Sequence, residues 1–388
     1  MCIRDSNMRV ILRCDFNVPI IEGNITDESK IIKSLETINY LLSKNCKIII
    51  LSHLGRVKTE EDKKNASLLP IKNSLERLLN KPIKFATDIL SEETKNMALS
   101  LQSGEILLLE NTRFLDVPNK LESTLNDDVA KQIASFGELF VFDAFAVAHR
   151  RHTTVVGIPA YLPSCLGFLA EKELSMLDIT IKNPNKPFTV IMGGAKVDDK
   201  LKIIKSLLPK CDHLLVSGGI ANSFLSALRL NVGSSLKTND PNIIKELVNL
   251  MLTYKEKFAF PLDAIVTTTY SNHPEMKNIN EIDTNDVIKD IGTKTIKKYG
   301  TIIKESNTIF MNGTMGIYEE KAFANGTREI LNILSTKNDQ VVIGGGDTVG
   351  ALNTLGFKNE FKNVSSGGGA TLESVSYTHL TLPTILRV

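Results

Sequence analysis

Two kinds of anion-binding motif occupy opposite halves of this 388-residue chain. Arginine and histidine clusters occur in the first half, at Ser52–Arg56, Glu110–Arg113 and His149–His152. Arginine grips phosphates and carboxylates through a two-pronged fork, whereas glycine lets backbone N–H groups approach a phosphate. Glycine clusters occur in the second half, at Gly193–Lys196, Gly218–Gly219, Asn312–Gly316, Gly344–Asp347 and Gly367–Gly369. This division predicts phosphoryl transfer between a domain that binds a small anion and a domain that binds a polyphosphate.

The glycine motif Gly193–Lys196 follows an apolar strand and leads into a predicted helix. Bare backbone beside a helix N-terminus is an anion site. Lys196 and Lys200 are four residues apart, so we expect them to share one helix face and to neutralise phosphate oxygens. A tight turn with solvated lysines is the alternative.

The motif Gly344–Thr348 has the same strand–loop–helix context and adds a carboxylate. Beside phosphates, Asp347 would act mainly as a Mg²⁺ ligand. The alternative is that Asp347 is a structural N-cap of the following helix. Gly367–Gly369 is expected to form another glycine-rich, phosphate-binding loop after a separate strand.

Polar and basic residues in the first half follow successive predicted strands. The carboxyl ends of parallel strands meet at one edge of a sheet, so these residues are expected to converge on one cleft. Asp15 and Asn17 could hydrogen-bond a substrate hydroxyl, and His53 could instead be a neutral core histidine. The residues in question are Asp15, Asn17, His53, Arg56, Arg113, His149 and Arg150.

Several common functions are excluded by missing motifs and by ordinary composition. The chain has no Walker A loop, no Gly-x-Gly-x-x-Gly, no Gly-x-Ser-x-Gly and no His-Glu-x-x-His. A net charge of +2 gives no general reason to expect nucleic acid or membrane partners. Five scattered cysteines, no apolar run of about 20 residues and no signal peptide favour a cytoplasmic protein with reduced thiols.

Short apolar runs alternate with amphipathic stretches along the chain, which predicts doubly wound parallel-sheet α/β (Rossmann-like) architecture. The predicted strands are Arg9–Arg13, Lys47–Leu51, Glu105–Leu109, Leu139–Asp143, Phe188–Met192, His213–Val216, Ala264–Thr267, Thr308–Met311 and Gln340–Ile343. The predicted helices are Lys30–Leu42, Asp127–Phe136, Asp199–Leu208, Asn242–Tyr254, Lys294–Lys304 and Thr327–Leu334.

The length of the chain and its punctuation by proline predict two domains and a connecting helix. We expect an anion-binding domain over 7–165, a hinge helix over 166–181 and a nucleotide-binding domain over 182–373. Residues 1–6 and 374–388 resemble translated adaptor sequence and are expected to be non-native.

Taken together, the motifs resemble the phosphoglycerate kinase family in identity and in order, over roughly Met8 to Glu373. The motifs are Arg13–Pro19, Ser52–Arg56, Glu110–Phe114, Asp143–Arg150, Gly193–Val197, Asn312–Gly316 and Gly344–Thr348. The resemblance implies reversible phosphoryl transfer from 1,3-bisphosphoglycerate to ADP in glycolysis. It also implies two α/β domains, Mg²⁺ bound with the nucleotide, and a monomer that closes about a hinge.

Carried over by position, the resemblance assigns a role to each candidate residue. The implied 3-phosphoglycerate site contains Asp15, Asn17, Lys30, His53, Arg56, Arg113 and Arg150. The implied nucleotide site contains Gly194, Lys196, Lys200, Gly219, Asn312, Glu319, Gly346, Asp347 and Thr348, with Asp347 on the metal. The residues expected to act on the moving phosphoryl group are Lys30, Lys196, Gly345 and Gly368.

The sequence departs from the family pattern at several positions. Lys30 stands where the family usually has an arginine, and lysine keeps the charge but loses the fork. Met311 and Thr314 replace the usual residues beside Asn312, and the family pattern stops at Glu373. Two alternatives therefore stay open: a nucleotide-binding homologue with impaired turnover, and a phosphotransferase with a different anionic acceptor.

Overall fold

Two compact units make up the chain, with the division between Leu174 and Ser175. The computed structural model describes residues 7–365 and 367–371, and describes only the backbone of 178–182. The segments predicted to be non-native, 1–6 and 374–388, lie outside the described residues. Each unit is built around its own parallel sheet, which confirms the predicted α/β class.

The first unit contains a six-stranded parallel sheet with the strand order β5-β6-β4-β1-β7-β8, and a two-stranded hairpin formed by β2 and β3. Its central strands are apolar on both faces because helices cover both sides of the sheet. The strands are β1 (Arg9–Cys14), β2 (Ile20–Ile21), β3 (Asn24–Ile25), β4 (Lys47–Leu51), β5 (Lys84–Ala86), β6 (Ile106–Leu109), β7 (Leu139–Asp143) and β8 (Ser164–Leu166).

The helices of the first unit use amphipathic patterns to cover this sheet. The first of them buries Ile31, Ile38 and Leu41 in the same core as Val10 and Leu12 of β1. These helices are α1 (Ser29–Ser43), α2 (Glu60–Lys63), α3 (Leu69–Leu79), α4 (Glu92–Leu99) and α5 (Asp127–Ala134), followed by α6 (Phe168–Lys182), which begins in the first unit and ends in the second.

Helix α6 contains the division between the units and begins on the first unit. The Ala170 N–H donates to Asp143 Oδ1 at 3.0 Å, and the Phe168 N–H donates to Thr37 Oγ1 at 3.0 Å. Both acceptors lie in the first unit, so they hold the N-terminal turn of α6 against the end of β7. The hinge role of 166–181 stays a prediction.

The second unit combines a five-stranded parallel sheet, in the order β11-β10-β9-β15-β16, with a three-stranded antiparallel sheet. The strands are β9 (Phe188–Met192), β10 (His213–Val216), β11 (Phe258–Ala259), β12 (Asp263–Thr268), β13 (Ser271–Asn278), β14 (Asp286–Ile291), β15 (Thr308–Asn312) and β16 (Val341–Gly344). The helices are α7 (Leu201–Leu207), α8 (Gly218–Ala227), α9 (Pro241–Thr253), α10 (Thr293–Glu305), α11 (Asn325–Ser335) and α12 (Gly346–Leu355).

One predicted strand belongs to a different sheet from the one expected. The run Ala264–Thr267 is a strand, but it lies between β13 and β14 as the antiparallel strand β12. Its apolar residues Ala264 and Val266 pack in a separate small core with Leu225 and Val232. A continuous apolar run therefore identified a buried strand without identifying its sheet.

Candidate active site

Asp15 lies directly after β1 and connects two elements of the first unit. Its Oδ2 is 2.7 Å from Lys30 Nζ on α1, and its Oδ1 is 4.0 Å from His53 Nδ1. Burial raises the pKa of Asp15, but Lys30, His53 and the hydrogen bond from the Asn17 N–H together hold this pKa below its ordinary value. Asp15 is therefore a buried carboxylate that stays charged.

His53 is buried, with 5% of its surface exposed. Desolvation, reinforced by the positive charge of Arg13, lowers the pKa of His53 to about 3. The imidazole is therefore neutral at physiological pH, as the core-histidine alternative required. It nevertheless lies beside Asp15, so the structure brings it to the predicted site.

Asn17 joins the loop after β1 to the loop after β4. Its Oδ1 accepts a hydrogen bond from the Gly55 N–H at 2.9 Å, and its own N–H donates to Asp15 Oδ1 at 3.1 Å. Arg56 follows Gly55 and is exposed. The two loops are therefore held together by polar contacts, with the Arg56 side chain directed to solvent.

Arg56, Arg113 and Arg150 form what we call the arginine cluster. Arg113 Nη1 is 3.0 Å from Asp116 Oδ2, and Arg150 Nε donates to His149 Nε2 at 3.4 Å. Desolvation lowers the pKa of Arg150, and the positive charges of Arg113 and Arg56 lower it further. The charges of Arg113 and Arg56 therefore act on Arg150, and the expectation that these arginines share one anion site stays a prediction.

Two buried polar residues support this cluster and were not assigned roles from the sequence. Asn111 Oδ1 accepts from the Leu54 and Arg113 N–H groups at 3.1 and 3.0 Å, and its Nδ2 donates to Leu54 O at 2.8 Å. Glu110 accepts from the Leu68 N–H at 2.7 Å. The available signal was a polar pair placed directly after the apolar strand β6.

At the carboxyl ends of the parallel strands of the second unit, polar side chains hold backbone segments in place. Lys200 Nζ donates to Gly193 O at 2.7 Å and to Asn312 O at 3.1 Å. Asn312 Nδ2 donates to Gly344 O at 3.0 Å, and Thr348 Oγ1 accepts from the Gly313 N–H at 2.7 Å. These bonds join the carboxyl ends of β9, β15 and β16.

Close backbone packing at this edge requires glycine at defined positions. A Cβ on Gly219 would lie 1.9 Å from Ala195 O, which no side chain tolerates. Gly345 has φ +97° and faces Asn312 Nδ2, a conformation that favours glycine. We call the edge lined by Gly193–Gly194, Gly218–Gly219, Gly313 and Gly345–Gly346 the glycine cradle.

The structure separates the two predicted lysines. Lys200 is the last residue of a 3₁₀ turn, whereas Lys196 lies in the preceding loop and is exposed. The expectation that they share a helix face is therefore wrong, because the helix begins only at Leu201. Burial lowers the pKa of Lys200 to about 8, while the negative charge of Asp347 opposes this shift.

Asp347 is exposed in the first turn of α12. Gly345 is the N-cap residue, so the N-cap alternative for Asp347 is wrong. Within residues 7–365 and 367–371, no group of three or more His, Cys, Asp or Glu residues could hold a metal. A lone exposed carboxylate fits Mg²⁺ that takes its other ligands from phosphates and water.

The remaining predicted residues lie around the same edge. Burial and the negative charges of Glu319 and Asp347 raise the pKa of Tyr318, which places all three side chains close together. Gly368 has φ +47°, and its segment follows a single bridge between Ile343 and Val364. The separate strand expected before Gly367–Gly369 is therefore reduced to that one bridge.

Comparison with known proteins identifies the family. A family model described as phosphoglycerate kinase matches residues 3–376. The chain belongs to the phosphoglycerate kinase family. It is 42% identical to phosphoglycerate kinase of Macrococcus caseolyticus over 368 residues, which cover 94% of this chain and 92% of that one.

Other phosphoglycerate kinases agree with this placement. The chain is 41% identical to the Clostridium kluyveri protein over 372 residues, covering 94% of this chain and 92% of that one. The solved structure from Coxiella burnetii has a TM-score of 0.88 at 34% identity, covering 97% of this chain and 95% of that one. The solved structure from Pyrococcus horikoshii has a TM-score of 0.79 at 27% identity, covering 97% of this chain and 95% of that one.

Membership of the phosphoglycerate kinase family confirms the predicted function. The chain is a glycolytic kinase that reversibly transfers a phosphoryl group from 1,3-bisphosphoglycerate to ADP. The comparisons give no support to either alternative, the homologue with impaired turnover or the kinase with another acceptor.

Proposed function

We propose that each unit binds one substrate of the kinase reaction. The arginine cluster, with Asp15, Asn17, Lys30 and His53, binds 3-phosphoglycerate or 1,3-bisphosphoglycerate. The observation that carries this proposal is the hydrogen bonding that joins the loops after β1, β4 and β6, from Asn17 to Gly55 and from Asn111 to Leu54 and Arg113. Burial and the repulsion by the charges of Arg113 and Arg56 also lower the pKa of Arg150. A multiply charged anion relieves that repulsion and accepts paired hydrogen bonds from each guanidinium group.

The glycine cradle is the proposed site for ADP or ATP. Its backbone N–H groups and the N-terminus of α12 suit phosphate oxygens. Glu319 would accept from the ribose hydroxyls, while Lys196 would approach the phosphates from the exposed loop. The proposed nucleotide-binding residues are Gly194, Lys196, Lys200, Gly219, Asn312, Glu319, Gly346, Asp347 and Thr348.

Lys200 and Thr348 shape this site by ordering its backbone. Lys200 already binds two carbonyl oxygens, and Thr348 Oγ1 donates to Gly344 O at 3.0 Å. The ammonium of Lys200 thereby keeps the ends of β9 and β15 in place while its charge favours phosphate. Asp347 would hold Mg²⁺, which neutralises charge on the phosphate oxygens when bound.

Phosphoryl transfer needs alignment and charge stabilisation more than covalent assistance. We assign that stabilisation to Lys30 and Lys196 and to backbone N–H groups near Gly345 and Gly368. Lys30 is anchored by Asp15, so its ammonium is held at the substrate site. We also propose that the enzyme is a monomer, that it is located in the cytoplasm, and that it has no nucleic acid or membrane partner.

The structure adds one finding about membranes. Among the described residues, no helix is long and apolar enough to cross a bilayer.

Steady-state kinetics of neighbouring arginine variants test the substrate site. Arg150→Ala should raise the KM for 3-phosphoglycerate at least about tenfold, because it removes a charge-assisted contact, and should leave the KM for ATP unchanged. Arg151, which is exposed, provides the matched control, and Arg151→Ala should behave as wild type. Equal KM values for 3-phosphoglycerate in the two variants would refute the assignment.

The metal assignment is tested separately. Asp347→Asn should raise the Mg²⁺ concentration needed for half-maximal activity, because an amide is a weaker ligand than a carboxylate for this hard cation. Isothermal titration of MgADP and of metal-free ADP gives the second readout. Asp347→Asn should weaken the binding of MgADP and leave the binding of metal-free ADP unchanged. Unchanged Mg²⁺ dependence and unchanged MgADP affinity would remove Asp347 from the metal site.

A further inference from the structure

A buried arginine lies at the end of β1, two residues before Asp15. Arg13 is wholly buried, and its Nη1 donates to Cys14 O at 3.0 Å. Its Nε and Nη2 have no hydrogen-bond partner within the described part of the chain. Its Nη2 forms an ion pair with Glu122 Oε1 at a distance of 4.0 Å.

Glu122 is itself wholly buried and binds the segment that follows Arg150. Its Oε2 accepts from the Thr154 N–H at 3.0 Å, and its Oε1 accepts from Thr154 Oγ1 at 2.6 Å. The Thr153 N–H donates to the Glu122 carbonyl oxygen at 2.8 Å. Glu122 therefore fixes the position of residues 153–154 through both side chain and backbone.

The backbone around Glu122 is also tied to Arg113. The Glu122 and Ser123 N–H groups donate to Asp116 Oδ1 at 3.1 and 2.8 Å. The other oxygen of Asp116 pairs with Arg113. A displacement of the backbone at Glu122 would therefore move the Asp116 carboxylate and, with it, Arg113.

The charges that face Glu122 come from three elements. Burial raises its pKa, and the positive charges of Arg13 and Arg113 oppose that rise. His152 Nδ1 is 3.7 Å away, but burial lowers the pKa of His152 to about 3, so the imidazole is neutral. The positive charges that act on Glu122 are therefore those of Arg13 and Arg113.

We propose that Glu122 is a positioning residue for 3-phosphoglycerate binding, because its carboxylate joins Arg13 to the segment after Arg150, and its backbone N–H is bound to Asp116, the partner of Arg113. The inference rests on the proposed substrate site. Removing the negative charge of Glu122 leaves the buried guanidinium group of Arg13 without compensation, so the surrounding groups must move. Arg113 and Arg150 would then present their guanidinium groups in a different geometry.

The test is the kinetics of Glu122→Gln, which keeps the volume and removes the charge. The KM for 3-phosphoglycerate should rise about tenfold, since Arg13 and the Thr154 segment lose the charged anchor that they share. The KM for ATP should stay within about twofold, because the nucleotide is assigned to the other unit. A folded Glu122→Gln enzyme with both KM values unchanged, whatever its thermal stability, would overturn the inference.

A second pair of variants covers the case in which Glu122→Gln does not fold. Thr154→Val removes the hydroxyl donor to Glu122, whereas Thr154→Ser keeps it. A raised KM for 3-phosphoglycerate in Thr154→Val alone would support the inference, and equal KM values in the two variants would overturn it. Arg150→Ala separates the proposals. If it raises that KM while Glu122→Gln does not, only the positioning role fails; if Arg150→Ala has no effect, the substrate site itself is wrong.

Discussion

The two units organise their proposed sites by different means. In the first unit, charged side chains are positioned by other side chains, as in the pairs Lys30–Asp15 and Arg113–Asp116. In the second unit, backbone segments approach one another directly, and Lys200 and Asn312 bind carbonyl oxygens. Substitutions in the first unit should therefore have graded, charge-dependent effects, whereas substitutions in the glycine cradle should be limited by space.

Two buried carboxylates, one in each unit, differ in the groups that lie beside them. Asp15 has the ammonium of Lys30 beside it, and its pKa is lowered. Asp290, in the second unit, accepts from the Gly326 and Ile291 N–H groups at 2.7 and 2.9 Å. Burial raises the pKa of Asp290 to about 7 because these backbone donors do not offset the loss of hydration.

The largest effect is expected from a side chain added to the glycine cradle. Gly219→Ala places a Cβ 1.9 Å from Ala195 O, so it should lower the free energy of unfolding by about 3 kcal/mol or more. Chemical denaturation measures this loss. Gly346→Ala is the matched control, because nothing lies within 4 Å of the added Cβ. Equal stability of the two variants would contradict the steric account.

The next effect concerns the buried carboxylate of Asp290. Its folded-state pKa, about 7, lies above the unfolded value, so its contribution to stability is lost as pH rises. Between pH 5 and pH 8 the wild type should lose about 3 kcal/mol that Asp290→Asn does not lose. Urea unfolding of both proteins across this range measures the difference. Parallel pH profiles would show that Asp290 does not titrate there.

A smaller loss is expected at Asn111, which supports the arginine cluster by side-chain hydrogen bonds. Asn111→Ala leaves the Leu54 and Arg113 N–H groups without their acceptor, which should cost about 2 kcal/mol of unfolding free energy. The KM for 3-phosphoglycerate should rise as well. Asn332→Ala, on the exposed face of α11, should change neither quantity. An unchanged KM for 3-phosphoglycerate in Asn111→Ala would show that the hydrogen bonds of Asn111 do not contribute to substrate binding.

The smallest effect is expected from the ion pair between Lys30 and Asp15. Lys30→Met should lower kcat/KM for 3-phosphoglycerate about tenfold, which corresponds to about 1.4 kcal/mol. The pKa of Asp15 is held down by Lys30, so the acidic limb of the pH profile should move to higher pH. Lys33→Met, which changes an exposed residue of the same helix, is the control. An acidic limb that stays in place would contradict electrostatic coupling between Lys30 and Asp15.

Local sequence patterns predicted those elements whose surroundings are apolar. Strand β1 and helix α1 were predicted because their patterns match a buried strand and an amphipathic helix. Strand β13, Ser271–Asn278, is mostly exposed and polar, so no pattern distinguished it from a loop. Its strand conformation depends on pairing with β12.

The predicted site shows the same limit. Arg113 and Arg150 were expected to meet because both follow parallel strands. Glu122 could not be assigned from the sequence, since its partners Arg13 and Thr154 are distant along the chain and it belongs to no periodic pattern. The expected helix face for Lys196 and Lys200 was wrong because spacing alone does not show where a helix begins.

The sequence by itself determined the fold class, the family and the chemical character of each half. These properties depend on residue type and local order, namely apolar strands, glycine loops and arginines at strand ends. The tertiary structure alone decided which carboxylates are charged and which backbones touch. Burial and long-range contacts set those properties: Lys30 lowers the pKa of Asp15, and Ala195 O excludes a side chain at Gly219.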